Sequence, residues 1–142
     1  MRKIIYYVAS SIDGYIMDSD ETIEKFVGDG SGVEQYLNDL KSFDTVIMGS
    51  DKNIEVCELD IALIKQIKND SETDIYLAGG GEFAGWLLEN EQIDRLKIKL
   101  NPLILGNGVR LFGSSTKELK TELISNQIHD KGLQIIEYRI IY

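Results

Sequence analysis

The sequence predicts an α/β protein whose mostly parallel sheet continues into an antiparallel meander at its C-terminal end. Apolar runs at residues 3–10, 43–49 and 74–78 have the composition of strands that are buried on both faces. Helical spacing separates these runs, as expected for βαβ units. After Asp94 the spacing changes to alternation, which predicts strands only. We expect one domain, because 142 residues is close to the usual domain size.

The first half of the chain is expected to alternate strands with helices. The first strand, residues 3–10, ends in a polar loop at residues 10–16, and a second polar, glycine-bearing loop covers residues 17–30. Ser31 and Glu34 fit a capping box, in which Ser31 is the N-cap of a helix. Apolar residues at helical spacing follow, namely Val33, Tyr36, Leu37 and Leu40.

The second half is expected to pass from a helix–strand–helix segment into strands. Residues 60–68 predict a short helix, and the strand at 74–78 leads through three glycines into a helix that ends near Asn90. Leu96, Ile98 and Leu100 alternate with Lys97 and Lys99, which predicts a strand that Pro102 ends. Residues 119–128 and 133–142 predict a hairpin that turns at residues 129–132.

The connection after Gly49 is too short for a parallel pair of strands. A strand ends near Gly49, and alternation at residues 53–57 predicts another strand three residues later. A crossover between parallel strands needs about a dozen residues or more. Either the two strands form an antiparallel hairpin that turns at residues 50–53, or a segment is missing after Ser50.

The composition argues against several classes of protein. The net charge of −9 argues against binding to nucleic acid or to an anionic membrane surface. No apolar run approaches the ~20 residues of a membrane span. The single cysteine, Cys57, forms no internal disulfide, which fits a cytoplasmic protein. No cluster has metal-ligand spacing, so we expect no metal site.

Three consecutive glycines, Gly79, Gly80 and Gly81, lie where a buried strand turns into a helix. Glycine is costly in chain entropy, and it is favoured where the backbone approaches another group closely. One interpretation is an anion or cofactor site at the N-terminus of the helix. The other is a tight turn with close packing between strand and helix.

Four segments occur in a characteristic order: VASSIDGYI at residues 8–16, DTVIMG at 44–49, IYLAGGGE at 75–82 and LNPLILGNGVRLF at 100–112. Together they resemble the dihydrofolate reductase-like family, in the branch similar to the C-terminal reductase domain of riboflavin biosynthesis proteins. The resemblance covers nearly the whole chain. It implies a single domain over residues 1–142, with a mixed, mostly parallel sheet, flanking helices and a C-terminal antiparallel meander.

The resemblance also implies a function. It suggests an NADPH-dependent reductase that transfers hydride to a small heterocycle, pyrimidine- or pterin-like, and that forms a homodimer through residues 101–112. The cofactor positions that it implies are Ala9, Ile16, Gly49, Ser50, Gly79, Gly80, Gly81 and Glu82. The substrate positions are Ser11 and Asp13, with Asp13 also the candidate acid.

Each of these residues has a structural alternative. Asp13 could instead stabilise the loop at Gly14 through an Asx turn. Ser11 has no base at a suitable spacing and is expected to be a hydrogen-bonding loop residue rather than a nucleophile. Glu82 suits the N-terminus of a helix for electrostatic reasons alone. His129, the only histidine, is expected in a turn with no catalytic role.

The chain departs from the family pattern after Ser50, where about thirty residues of the pattern, including a strand, are missing, consistent with the length of a crossover. That segment carries the residues for the ribose phosphate of the cofactor. A second hypothesis is therefore a non-catalytic, dimeric binding or structural member of the same fold that has lost part of its cofactor site.

Overall fold

The computed structural model describes residues 1–49 and 60–142, and it shows a six-stranded sheet with helices on both faces. The helices are α1 (Ser31–Leu40), α2 (Ile61–Asp70) and α3 (Gly81–Glu89). The strands are β1 (Ile4–Ser10), β2 (Tyr15–Met17), β3 (Thr45–Ile47), β4 (Ile75–Leu77), β5 (Arg95–Leu100), β6 (Val109–Arg110), β7 (Lys120–Ile128) and β8 (Gln134–Ile141). A short 3-10 segment, Asp130–Gly132, joins the last two strands.

The strand order in the main sheet is β3-β4-β1-β5-β8-β7. The first four strands in this order are parallel, whereas β8 runs antiparallel to β5 and β7 antiparallel to β8. The predicted class, a mostly parallel sheet with a C-terminal antiparallel meander, is therefore confirmed. The sequence did not predict the small antiparallel pair of β2 and β6, which has three and two residues.

Alternate residues of β1 pack on opposite faces of the sheet. Ile4, Tyr6 and Val8 belong to the larger core, where they meet buried residues of α2 and α3. Tyr7 faces the other way, into a second cluster with Tyr36 of α1. The buried, largely apolar composition of β1 follows from this sandwiched position, because both of its faces are covered.

The N-terminus of α1 is capped by a distant loop rather than by the predicted capping box. The N-cap is Gly30, and it makes no side-chain capping bond, so the prediction of Ser31 as the cap is wrong. The Asp130 carboxylate accepts a hydrogen bond from the Ser31 amide at 2.9 Å, and the Ser31 hydroxyl lies 3.0 Å from His129 Nδ1. The turn between β7 and β8 thus replaces the local cap.

Two predictions lie outside the described residues. They are the strand at 53–57 and the short connection from Gly49 to Asn53, so both remain predictions. Within residues 1–49 and 60–142, no helix has both the length and the apolar character needed to cross a membrane.

Candidate functional site

A cavity of about 470 Å³ lies at the carboxyl ends of β1 and β4 and beside Gly49, which follows β3. Its aliphatic lining consists of Val8, Ala9, Ile16, Met17, Ile23, Met48 and Ala78. In α/β sheets, ligands bind outside the carboxyl ends of the strands, and this volume lies within the usual range for small-molecule sites. The cavity is therefore the candidate ligand site.

Two of the three consecutive glycines form one wall of this cavity. The Gly49 amide donates to the Gly79 carbonyl at 2.8 Å, and the Gly80 amide donates to the Gly49 carbonyl at 3.1 Å. These bonds hold the ends of β3 and β4 together. Gly79 has φ +127°, which favours glycine, and a Cβ placed there would meet no atom within 4 Å. This wall is therefore bare backbone, which a ligand can approach closely.

The third glycine has a packing role. A Cβ on Gly81 would lie 2.3 Å from the carbonyl oxygen of Arg110, so glycine here lets α3 pack against the 110–113 segment. Glu82 is exposed and accepts a hydrogen bond from the Ser114 hydroxyl at 2.9 Å. Neither residue is among those that line the cavity. The close packing between strand and helix is therefore present at Gly81, whereas cofactor contacts by Gly79, Gly80, Gly81 and Glu82 all stay a prediction.

Asp13 lies outside the cavity lining, on the loop after β1. Its carboxylate accepts hydrogen bonds from the amides of Leu105 and Gly106, at 3.1 and 2.8 Å. The Ser11 hydroxyl also donates to it at 2.6 Å. The hydrogen bond from Ser11, helped by those two amides, holds the pKa of Asp13 below its usual range. A carboxylate that is ionised at neutral pH is a poor proton donor, so this geometry favours a structural role for Asp13. Its partners are Ser11 and the 105–106 segment rather than the Asx turn expected at Gly14.

Ser11 and His129 also have structural partners. Ser11 is buried, and besides donating to Asp13 its hydroxyl accepts a hydrogen bond from the Tyr15 amide at 3.0 Å. His129 contacts Ser31 at the start of α1, away from the cavity. Substrate contacts by Ser11 and Asp13 remain predictions. Ser50 lies outside the described residues.

The sequence analysis missed a polar group inside the cavity. Lys99 of β5 is only 9% exposed and lines the cavity together with Tyr7 and Tyr36. Its Nζ lies 4.1 Å from the centroid of the Tyr36 ring. Burial lowers the pKa of Lys99, because the charged form loses hydration. The alternation of lysine and leucine along β5 gave no sign of this burial, which depends on the packing of α1 over the sheet.

The hydroxyls of Tyr7, Tyr36 and Tyr76 make hydrogen bonds within the protein. The Tyr7 hydroxyl donates to Asp39 at 2.8 Å, and the hydroxyls of Tyr36 and Tyr76 are 2.5 Å apart. Burial raises the pKa of Tyr7 and of Tyr76, with smaller contributions from these hydrogen bonds. Tyr7 and Tyr76 therefore remain neutral at physiological pH. The side chains of Tyr7 and Tyr36 line the cavity.

The chain resembles known proteins over its whole length. An uncharacterized protein of Bacillus subtilis, YwjB, is 26% identical over 169 residues, which cover 94% of this chain and 96% of that protein. A putative riboflavin biosynthesis protein from Shewanella sp. PV-4 has 19% identity and a TM-score of 0.79, with 99% of both chains covered. Dihydrofolate reductase from Enterococcus faecalis, complexed with NADP(H), has 10% identity and a TM-score of 0.64, with 99% of this chain and 97% of that one covered.

A further solved structure is a deaminase/reductase from Thermotoga maritima, with 12% identity and a TM-score of 0.75; this chain spans 57% of its length. These likenesses establish the dihydrofolate reductase-like fold. The model of the family described as the RibD C-terminal domain matches residues 50–135, more than half of the chain. The chain therefore belongs to the RibD C-terminal domain family.

Proposed function

We propose that this protein is an NADPH-dependent reductase that transfers hydride to a small heterocycle, pyrimidine- or pterin-like. The observation that carries the proposal is the composition of one cavity. Five predicted cofactor positions, separated in sequence by up to about half of the chain, line it together: Ala9, Ile16, Gly49, Gly79 and Gly80. The family and the name of the Thermotoga maritima neighbour support a reductase, and the NADP(H) complex of the Enterococcus faecalis neighbour supports the cofactor.

The residues of the cavity fit the nicotinamide half of such a cofactor. The bare backbone at Gly79 and Gly80 would lie against the diphosphate, and Ala9 and Ile16 would lie beside the nicotinamide ring. A bound nicotinamide supplies the hydride, a step that needs contact between two rings and the exclusion of water. The lining is mainly apolar, which favours the exclusion of water once both ligands are bound, and the small Ala9 side chain leaves room for a ring against β1.

A titration tests cofactor binding directly. We expect NADPH to raise the thermal midpoint of unfolding of the protein. We also expect the nicotinamide fluorescence of NADPH to change when the protein is added. Ala9→Phe, which fills the cavity, should abolish both signals. Ala62→Phe is the matched control, because Ala62 is exposed on α2 outside the cavity lining. No response of the wild-type protein at millimolar NADPH would exclude the reductase.

A homodimer is part of the proposal. Ile104, in the 101–112 segment that is predicted to form the contact, is 71% exposed, and Leu123 and Ile128 of the edge strand β7 are 60% and 80% exposed. Exposed apolar side chains of this size are costly in water, and a second copy would cover them. Light scattering at micromolar concentration should give twice the chain mass, and Ile104→Glu should give a monomer. A cytoplasmic location also belongs to this proposal.

A second candidate, a non-catalytic dimeric binding or structural member of the family, is favoured by one observation. The alignment with the Bacillus subtilis relative spans 169 residues, more than the 142 of this chain, so some residues of that relative have no counterpart here. Intact mass separates the two cases. A mass of 16.0 kDa means that the chain lacks the segment. A mass about 3 kDa higher means that a crossover of about thirty residues is present.

A further inference from the structure

Lys99 is the one cationic side chain that lines the cavity within the part of the chain that the structure describes. It is 9% exposed, and no carboxylate of the described residues lies within 4.0 Å of its Nζ. Its ammonium has the Tyr36 ring as a neighbour, a cation–π contact that replaces only part of the hydration lost on burial. A buried charge without a counter-ion is costly, which points to a ligand that supplies one.

Lys97, on the same face of β5, is a useful comparison because its ammonium has a partner within the protein. Lys97 Nζ lies 3.1 Å from Asp39 Oδ2 and 4.8 Å from the centroid of the Tyr7 ring. Both lysines thus have a tyrosine ring from the same aromatic pair, Tyr7 and Tyr36. Among the described residues, only Lys97 also has a carboxylate partner, although the two lysines are just two positions apart on β5. Lys99, which has no such partner there, lines the cavity.

The sheet order places Lys99 on the far side of Ala9 from the glycine turn. Strand β4, which leads into Gly79, pairs with β1, and β1 pairs with β5, where Ala9 is the register partner of Lys99. Adjacent strands lie about 4.8 Å apart, so Lys99 is one strand beyond Ala9 and about 10 Å beyond β4. A cofactor with its diphosphate at Gly79 and its nicotinamide at Ala9 leaves the space at Lys99 to the second ligand.

We propose that Lys99 binds an ionised oxygen of the substrate, and that the substrate is a small planar heterocycle carrying a carboxylate or a comparable acidic group. The assignment of this anion to the substrate rests on the proposed reductase function, whereas the anion site itself does not. The faces of Tyr7 and Tyr36 provide walls for a planar ring.

The test uses a pair of probes of equal shape and different charge. Binding of pyrimidine-4-carboxylate and of pyrimidine-4-carboxamide is measured by calorimetry or by NMR, first without cofactor and then with saturating NADPH. We expect the wild-type protein to prefer the carboxylate at least roughly tenfold, because a hydrogen bond to a charged group is worth about that much. Lys99→Met should remove this preference, Lys99→Arg should keep most of it, and Lys97→Met, away from the cavity lining, should leave it unchanged.

Three outcomes overturn the proposal: equal affinity of the wild-type protein for both probes, an unchanged preference in Lys99→Met, or loss of NADPH affinity as large as the loss of carboxylate affinity. The last would assign Lys99 to a phosphate of the cofactor. If Lys99→Met fails to fold, loss of the preference in Lys99→Gln supports the proposal and its retention overturns it. Carboxylate binding that depends on Lys99 in a protein that never binds NADPH would refute the reductase while confirming the anion site.

Discussion

Lys97 and Lys99 occupy the same face of β5, two residues apart, and their surroundings differ in one respect. Lys97 Nζ meets the Asp39 carboxylate at 3.1 Å, whereas Lys99 faces a cavity and has no such partner among the described residues. Asp39, which lies on α1, neutralises Lys97. Lys99 is left accessible to a ligand in the cavity. The comparison distinguishes a lysine that stabilises the fold from one that has a place in the site.

The largest expected effect is a difference in stability between variants of the two lysines. Lys97→Met removes a partner of a carboxylate that is 19% exposed, so we expect a loss of about 1–3 kcal/mol in the free energy of unfolding. Lys99→Met replaces a buried charge with an apolar chain of similar length and should be neutral or stabilising. Urea unfolding at pH 7 measures both. Equal destabilisation by the two variants would show that Lys99 is also structural.

The pH dependence of stability tests whether Lys99 is a buried charge that destabilises the folded protein. Burial lowers the pKa of Lys99 in the folded protein below its ordinary value of 10.5. Between the two pKa values the unfolded chain binds more protons than the folded one, so Lys99 contributes a stability that rises with pH up to about 10.5. We therefore expect any advantage of Lys99→Met over the wild-type protein to be largest at pH 7 and to shrink towards pH 10. An advantage that grows with pH would contradict the assigned direction.

A smaller effect is expected at Asp39, the acid of the structural pair. Asp39→Asn keeps the shape of the side chain, and its amide oxygen can still accept from the Tyr7 hydroxyl, but it loses the charge that pairs with Lys97. We expect a loss of about 1–2 kcal/mol in the free energy of unfolding. Lys97→Met and Asp39→Asn together should cost less than the sum of the two. Additive losses in this double-mutant cycle would show that the pair does not interact.

The smallest effect is expected at Asp13, because its carboxylate is exposed to solvent. Hydrogen bonds from Ser11 and from two backbone amides lower its pKa, so its contribution to stability is present above its unfolded pKa and is lost as pH falls through the folded pKa. Asp13→Asn should lower the thermal midpoint slightly at pH 7 and should not change it in strong acid. Binding of pyrimidine-4-carboxylate should be unchanged. A loss of that binding would instead support Asp13 as a substrate residue.

The sequence predicted the parts of this fold that depend on local patterns. The buried strand β1, the alternation of β5 and the hairpin of β7 and β8 were visible because residue spacing follows strand geometry. The pair of β2 and β6 was not, because two or three residues show no period and are ordered by pairing across the chain. The cap of α1 was missed for the same reason, since Asp130 supplies it from a distant turn.

The candidate site was predictable in part. The glycines at the ends of β3 and β4, namely Gly49, Gly79 and Gly80, all line the cavity. Gly79 leaves open space there, whereas glycine at position 49 lets Phe83 pack closely. Lys99 could not be found in this way, because an alternating lysine on a strand normally faces solvent. Its burial results from α1, whose residue Tyr36 covers it, and this packing leaves no trace in the spacing of β5.

The central claim is that the cavity beside Ala9 and the glycine turn binds NADPH. Mapping of amide chemical shifts on addition of NADPH tests it most directly, because each predicted contact reports separately. We expect the largest changes at Ala9, Ile16, Gly49, Gly79 and Gly80, with little change at Asp13 or along β7. Changes confined to other surfaces, or no changes at millimolar NADPH, would contradict the claim.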